Sequence, residues 1–519
     1  MFSPGPDSAA TSRIDRRAIL GFNPTRTVPT PSGRSLGIPA SHRGASNIGF
    51  LLQIQPIMST NPGWAIARTR TATAPRTTFS LQGKAGNRSA SKHGEIAQGP
   101  FMRISIIIPT RERARYLQHS LATATAIIDA KVEILVSDNA STDDTRAVVA
   151  ANTDPRVRYV NTGARLSMRQ NFEFALGQST GDYVIFFGDD DGILPGQFPV
   201  LRRILETQKP DALSWDFPVF GWPVPGYGVK TGGLRFLRKS TFGAPYHLDR
   251  DARLRAVEQG LMNAMYPMPG IYHGCMSRAY LDQLACADGT YFGARSPDVY
   301  MNFRALQHGG KLVHLHHPLS INGYSPASTG GSMRAQGQQG TGTDQTKPAA
   351  SSFIAELAVD PVDDVVPISK SMTIGFLGTL ETVRHLFPDE PVTPDYQSWY
   401  HHALSELGRK DPATAANILA SLDAHAMQFN AQDALARAKA QGAEPRLSRL
   451  HRAWDRARNK IGSFRLSAEI DGQNTILTAA RMCDTVLGTD QMAILDTTTT
   501  RSAAWQAARK RSKQFSRQI

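Results

Sequence analysis

The residues of this chain best suited to chemistry are three consecutive carboxylates, Asp189, Asp190 and Asp191. They follow Gly188 and an apolar run, Tyr183-Val184-Ile185-Phe186-Phe187. The run predicts a short buried strand: it is β-branched and aromatic, and it is entered through a Gly181-Asp182 turn. Three adjacent carboxylates at the end of such a strand repel one another. Burying them without partners costs several kcal/mol or shifts their pKa values upward. A divalent cation removes that cost. Hard carboxylate oxygens suit Mg2+ or Mn2+, which bind one or two carboxylates together with substrate phosphates. Taken alone, the Asp triplet also reads as a solvated acidic turn.

The elements around it favour the first reading. Residues 103–216 alternate strand and helix. Strands are predicted over 104–108, 132–136, 157–160 and 183–187. Leu117, Leu121, Ala124 and Ile128 mark one helical face, and Met168, Phe172, Ala175 and Leu176 mark another. Ser141 with Asp144 three residues on resembles a capping box that opens a helix between them. Helices of this length between strands imply βαβ units and a mostly parallel sheet. In such sheets ligands bind outside the carboxyl ends of the strands. That rule gathers Pro109-Thr110-Arg111-Glu112-Arg113, Ser137-Asp138-Asn139-Ala140-Ser141 and Gly188-Asp189-Asp190-Asp191 on one edge.

In order and spacing, these segments strongly resemble the nucleotide-sugar-binding half of family 2 glycosyltransferases of the GT-A fold. The likeness is specific over about 103–200 and weaker to about 330. It implies a Rossmann-like mixed sheet, mostly parallel and flanked by helices. It implies that Pro109, Thr110 and Arg113 line a nucleotide pocket, and that Asp138 accepts a hydrogen bond from uracil if the donor is a UDP-sugar. The acidic cluster corresponds to the family's DXD motif, but aligned on Ile193-Leu194-Pro195 its first position is Gly188. Asp190 then takes the direct metal contact, Asp189 a ribose or secondary metal contact, and Asp191 a supporting role. The metal would offset charge building on the leaving diphosphate.

The acceptor hydroxyl needs a general base. Arg295-Ser296-Pro297-Asp298-Val299-Tyr300 resembles the family's catalytic acid segment and makes Asp298 that base in an inverting transfer. An N-cap for the helix that follows is the competing role. Tyr272-His273-Gly274-Cys275 resembles the loop beside the donor sugar. There His273 would touch sugar or acceptor, or else simply be packed, and Gly274 would allow close backbone approach. His314-Leu315-His316-His317 falls where some GT-A enzymes carry a late metal-binding His. Alternation puts His314 and His316 on one face, with His316 the candidate third ligand. Asn322 to Ser328 reads as a flexible lid.

The whole chain has 519 residues, 41% hydrophobic, with a net charge of +14. Residues 1–100 hold 12 Lys/Arg against 3 Asp/Glu, so most of that charge sits in a leader. The leader, 1–101, is rich in Ser, Pro, Gly and Arg and reads as disordered, so a chain starting at Met102 is expected to fold. The glycosyltransferase domain is expected over 102–330, with a nucleotide half to 216 and an acceptor half from 217. A flexible linker (331–350), a helical extension (351–465) and a basic tail (466–519) follow. Three isolated cysteines argue against a disulfide framework or a Cys-zinc site and suit a reducing compartment. No apolar run approaches the ~20 residues that span a bilayer. A cytoplasmic location is expected, with contact between the basic tail and anionic lipid as a minority reading.

The expected activity is metal-dependent transfer of a sugar from a nucleotide-diphospho-sugar to a saccharide or lipid-linked acceptor, in surface polysaccharide or glycan synthesis. A degenerate nucleotide-sugar sensor is the alternative, because of Gly188. A nucleotidyltransferase is disfavoured, since the loop after the first strand has no Gly. No zinc, basic-stripe or stacking motif points to nucleic acid.

Overall fold

The structure is a computed structural model. It describes residues 102–224, 232–261, 265–328, 355–356, 360, 369–441 and 462–515, all within one compact unit, His93–Ile519. The predicted leader and linker lie outside the described residues.

The first half alternates as its apolar pattern predicts: β1 (Ile104–Thr110), α1 (Ala114–Thr125), β2 (Val132–Asp138), α2 (Thr145–Ala150), β3 (Val157–Asn161), α3 (Met168–Gln178) and β4 (Tyr183–Phe186). Then come β5 (Gly192–Ile193), α4 (Phe198–Gln208), β6 (Ala212–Trp215), β7 (Val219–Gly221), β8 (Gly233–Leu237) and β9 (Pro245–His247). These lead to α5 (Arg250–Glu258), β10 (Gly274–Ser277), α6 (Arg278–Leu284), α7 (Pro297–His308), β11 (Leu312–Leu315) and β12 (Ser320–Tyr324). The C-terminal part adds α8 (Met372–Leu386), α9 (Tyr396–Ser405), α10 (Pro412–Gln428) and α11 (Gln432–Ala440). It ends with β13 (Ser463–Ser467), α12 (Ile476–Leu487), α13 (Asp490–Leu495) and α14 (Arg501–Ser512).

Eight strands form the main sheet in the order β3-β2-β1-β4-β10-β6-β11-β9. β1 to β4 run parallel, and so do β6 and β11; β10 and β9 run against their neighbours. The sheet is therefore mixed and mostly parallel. Strand alternation fills both faces. Ile104, Ile106, Ile108, Ile134, Val136, Ile185 and Phe187 pack with Leu117, Leu121, Leu201 and Ile204 of α1 and α4. Ile107, Leu135, Val184 and Phe186 face the other way, onto Phe172, Leu281 and Phe303 of α3, α6 and α7.

One predicted cap is wrong. Asp144 precedes α2 but its side chain makes no cap bond. Ser141 is already taken, its Oγ accepting from the Glu112 N–H at 2.8 Å. Asp143 works instead, accepting from the N–H groups of Thr145 at 3.0 Å and Ala114 at 2.9 Å. A true capping box opens α3, from Ser167 and Gln170.

Helices α8 to α11 are not a separate body. Ile374, Leu377, Trp399, Tyr400 and Ile418 belong to the same core as α7. Arg304 of α7 makes two 2.9 Å bonds to Glu390, just beyond α8. The extension thereby braces the helix that carries Asp298.

The last segment is not a free basic tail, and the stretch before it is not wholly helical. β13 pairs with β8. Trp505, Ala504 and Ala508 of α14 are buried with Ile476, Cys483 and Val486 of α12, against Tyr116, Leu194 and Trp222. Arg501 and Arg511 are spent on backbone carbonyls, at 3.0 Å from Thr241 O and 2.8 Å from Val486 O. Arg509, Lys510 and Lys513 remain exposed. Trp505→Ala should therefore cost about 3–5 kcal/mol in chemical denaturation. A change within about 0.5 kcal/mol, the range of ordinary surface positions, would restore the tail reading.

Candidate active site

The carboxyl ends of β1, β2, β4, β6 and β11 share one edge with the start of antiparallel β10. Three non-glycine residues there have a positive φ: Glu112 (54°), Ala140 (52°) and His273 (48°). Such backbone costs energy and persists where surrounding contacts hold it. Glu112 is held by its carboxylate, which accepts from the Thr142 N–H at 2.7 Å and so laces the β1 and β2 loops together.

Each carboxylate of the cluster has its own surroundings. Asp189 is buried, accepting from Thr110 Oγ1 at 2.7 Å and from an Arg113 guanidinium nitrogen at 3.0 Å. Arg113 also donates to the Ala327 carbonyl. Asp191 is saturated. It accepts from Tyr272 Oη at 2.5 Å, Gly188 N at 2.8 Å and Gly323 N at 2.6 Å, with His273 Nε2 at 3.3 Å. Burial works to raise its pKa, but His273, Tyr272 and the Gly323 N–H together hold it below the ordinary carboxylate value.

Asp190 is the exception. It is buried, and the only side-chain hydrogen bond described for its carboxylate comes from Ser325 Oγ at 2.5 Å. Burial, with the charges of Asp191 and Asp189, pushes its pKa up to about 7 against the pull of Arg113. A carboxylate so short of compensation fits a divalent cation.

Gly188 has a physical reason. A Cβ there would lie 2.7 Å from Tyr272 Oη, 3.0 Å from Asp191 Oδ2 and 3.2 Å from Asp190 Oδ1. The tyrosine hydroxyl occupies the space the motif's first side chain would need. Gly188→Asp, which restores the motif on paper, should lower stability by about 1–3 kcal/mol through overpacking and should not raise activity. A more active, equally stable variant would refute this packing argument.

The remaining predicted residues divide. Asp138 is buried, accepting from Tyr159 Oη at 2.6 Å, Asn161 Nδ2 at 3.0 Å and Ser141 N at 3.0 Å. Pro109, next to last in β1, lies opposite Ser137 in the β1–β2 ladder. His273 is buried and partnered, its Nδ1 2.8 Å from Ser320 Oγ, which accepts from Trp215 Nε1 at 2.7 Å. The half-exposed ring of Phe217 lies 4.5 Å from it.

Gly274 admits the backbone, but not toward an open pocket. Its missing Cβ would sit 2.1 Å from the Gly270 carbonyl oxygen. Asp298 is in the first turn of α7, past the cap position held by Ser296, whose side chain makes no cap hydrogen bond. Burial raises its pKa against the pull of the Val299 N–H, its own N–H and His273. Its charge in turn acts on Tyr266 and Tyr272.

Two expectations are corrected. Asn322 to Tyr324 is not a loose lid, because it belongs to β12, which pairs with β5 and β7. His316 does not join Asp190: its Nδ1 is 2.8 Å from Asp216 Oδ2, with His314 on the same face.

Residues 105–254 match the Glycosyl transferase family 2 profile. The chain carries a family 2 glycosyltransferase domain. Over 112 residues it is 31% identical to abequosyltransferase RfbV of Salmonella typhimurium, covering 21% of this chain and 34% of the relative. Over 104 residues it is 32% identical to GalNAc(5)-diNAcBac-PP-undecaprenol beta-1,3-glucosyltransferase of Campylobacter jejuni, covering 20% and 34%. The chain thus spans about a third of the length of these relatives. Among solved structures it is similar to S. aureus TarS 1-349 in complex with UDP-GlcNAc, with 14% identity, 66% and 93% coverage and a TM-score of 0.36.

Sequence reasoning assigned no role in the cluster to the groups that organise it: Tyr272, Ser325, Ser320 and Trp222, whose indole N–H donates to the Asp190 carbonyl at 2.9 Å. It also passed over Asp216, which the sheet-edge rule could have found just past β6. No described helix is long and apolar enough to cross a membrane.

Proposed function

We propose that the chain transfers a sugar from a nucleotide-diphospho-sugar, a UDP-sugar first, to a saccharide or lipid-linked acceptor, with inversion. The observation that carries this is Asp190, a buried carboxylate left short of partners at the carboxyl edge of the sheet, beside Arg113. When bound there, Mg2+ or Mn2+ would offset negative charge on the departing diphosphate. Thr110, Pro109 and Asp138 would seat the nucleoside, Asp138 Oδ1 keeping a lone pair for a ring N–H. Arg113 is fixed by Asp189 and adds positive charge on the phosphate side. Asp298, with its raised pKa, would take the proton of the acceptor hydroxyl. The exposed rim ring of Phe217 is suited to the face of a sugar.

The names of the two relatives support sugar transfer in glycan assembly, one of them on an undecaprenol-diphosphate-linked glycan. Peripheral contact with anionic lipid on a cytoplasmic face belongs to the same reading, through Arg509, Lys510 and Lys513. The purified chain is to be screened against UDP-, GDP- and dTDP-sugars by thermal shift with and without Mn2+, followed by donor-turnover assays. A manganese-dependent rise in melting temperature with one nucleotide class, plus turnover, is the expected result. Binding without turnover, with acceptor extracts present, would assign the sensor reading instead.

A further inference from the structure

We propose that Asp216, His314 and His316 form a second metal site, one for a borderline transition ion such as Zn2+, separate from the Asp190 carboxylate. The three side chains come from neighbouring parallel strands. His314 lies in β11 opposite Ser214 of β6, and His316 and Asp216 lie just past the ends of those strands. The Asp216 N–H donates to the Leu315 carbonyl at 3.1 Å, which fixes their register. One ligand atom from each of the three falls within 4.8 Å of the others, and the group includes none of Asp189, Asp190 or Asp191.

His314 Nε2 points to a ligand. The ring is 2% exposed, and this nitrogen has no hydrogen-bond partner. Its nearest acidic oxygen, Asp216 Oδ1, is 3.6 Å away, beyond hydrogen-bond reach. The other ring nitrogen is 2.9 Å from Ser214 Oγ. That contact orients the imidazole as an outer partner orients a metal-binding His. His316 Nδ1 is 2.8 Å from Asp216 Oδ2, and its side chain is 34% exposed, so an ion has a way in. In the metal-free protein an Nδ1–H of His316 donates to that carboxylate, and an ion that took Nδ1 would displace this hydrogen. The Tyr246 ring of β9 lies 5.0 Å from the His316 ring and walls the site.

The donor set decides the ion. Two imidazoles and one carboxylate suit Zn2+ and its neighbours, whereas Mg2+ and Mn2+ prefer oxygen. Three protein ligands leave a position for water.

The full chain, untagged and stripped with chelator, is to be titrated with Co2+ as an optical stand-in and with Zn2+ as competitor. The expected result is one Co2+ per chain with the intense visible bands of low-coordinate cobalt, displaced by Zn2+ but not by Mn2+; any Co2+ taken by the oxygen ligands at Asp190 would absorb only weakly. Asp190→Asn should leave the intense bands unchanged. His316→Ala removes a half-exposed side chain and so should keep the fold. It should weaken binding by more than the ~10–100-fold that outer-shell changes cost. Asp216→Asn is the second variant and should do the same. The proposal is overturned if wild type gives only weak six-coordinate cobalt spectra, or if His316→Ala binds as tightly as wild type.

Discussion

Asp190→Asn is expected to lower kcat by about 10²–10³-fold while raising the melting temperature of the metal-free protein at pH 8. The two effects have one origin. Asn keeps the shape and can still accept from Ser325, but it carries no charge. Catalysis loses the anion that would hold the cation against the leaving diphosphate. Stability gains because the wild-type carboxylate is buried beside Asp189 and Asp191, which moves its pKa from 3.8 up to about 7. Between those pH values the folded state holds a proton that the unfolded chain has released. Stability therefore falls as pH rises through that window, and the full penalty applies above it. Each pKa unit is about 1.4 kcal/mol, so the gain should reach several degrees at pH 8 and shrink toward pH 5. Thermal melts in EDTA across this range check the sign. A variant no more stable than wild type at pH 8 would show that Asp190 carries no such burden. Mn2+ should stabilise wild type and leave the variant unmoved.

The neighbouring carboxylate should behave oppositely. Asp191 accepts from Tyr272, Gly188 N and Gly323 N, and its pKa is lowered. Its charge stabilises the fold above the ordinary carboxylate pKa, a contribution lost as pH falls through the lowered value. Asp191→Asn would set an amide N–H against existing donors, costing about 1–3 kcal/mol. One residue along the chain reverses the sign of the same substitution.

That reversal marks where sequence reading stops. The strands β1 to β4 were legible because they are short, largely apolar runs bounded by turns, and β4 buries every residue it has. The carboxyl edge was legible because topology dictates it. Which carboxylate is uncompensated was not, since the deciding partners lie far along the chain: Tyr272 is 81 residues from Asp191, and Ser325 is 135 from Asp190. Gly188 looked like a lost ligand, yet the space is filled by Tyr272 Oη. His316 followed a family position, but its strand is placed beside Asp216. The C-terminal helix misled through its basic residues, while its small and aromatic stripe, Ala504, Trp505, Ala508 and Ser512, is what packs.

Asp298→Asn should lower kcat by about 10²–10⁴-fold with donor affinity and fold nearly intact. Support of the first turn is the competing explanation, and the Asn substitution separates the two. α7 begins at Pro297 with Ser296 as its cap residue, so position 298 is in the first turn. Asn there keeps an oxygen for the Val299 N–H, and α7 stays braced by Arg304 on Glu390. What Asn cannot do is take a proton. Burial raises the pKa of Asp298, which makes it a better base and brings its titration closer to the working pH. Wild-type kcat should therefore fall on the acid side as Asp298 becomes protonated, and that limb should be missing from the residual activity of the variant. A cap or packing role would change stability without removing the limb. Turnover within about threefold of wild type at saturating donor and acceptor, well short of a general-base contribution, would remove Asp298 from the reaction. The acid limb would then have to be traced to Asp190, whose pKa of about 7 also falls in the working range.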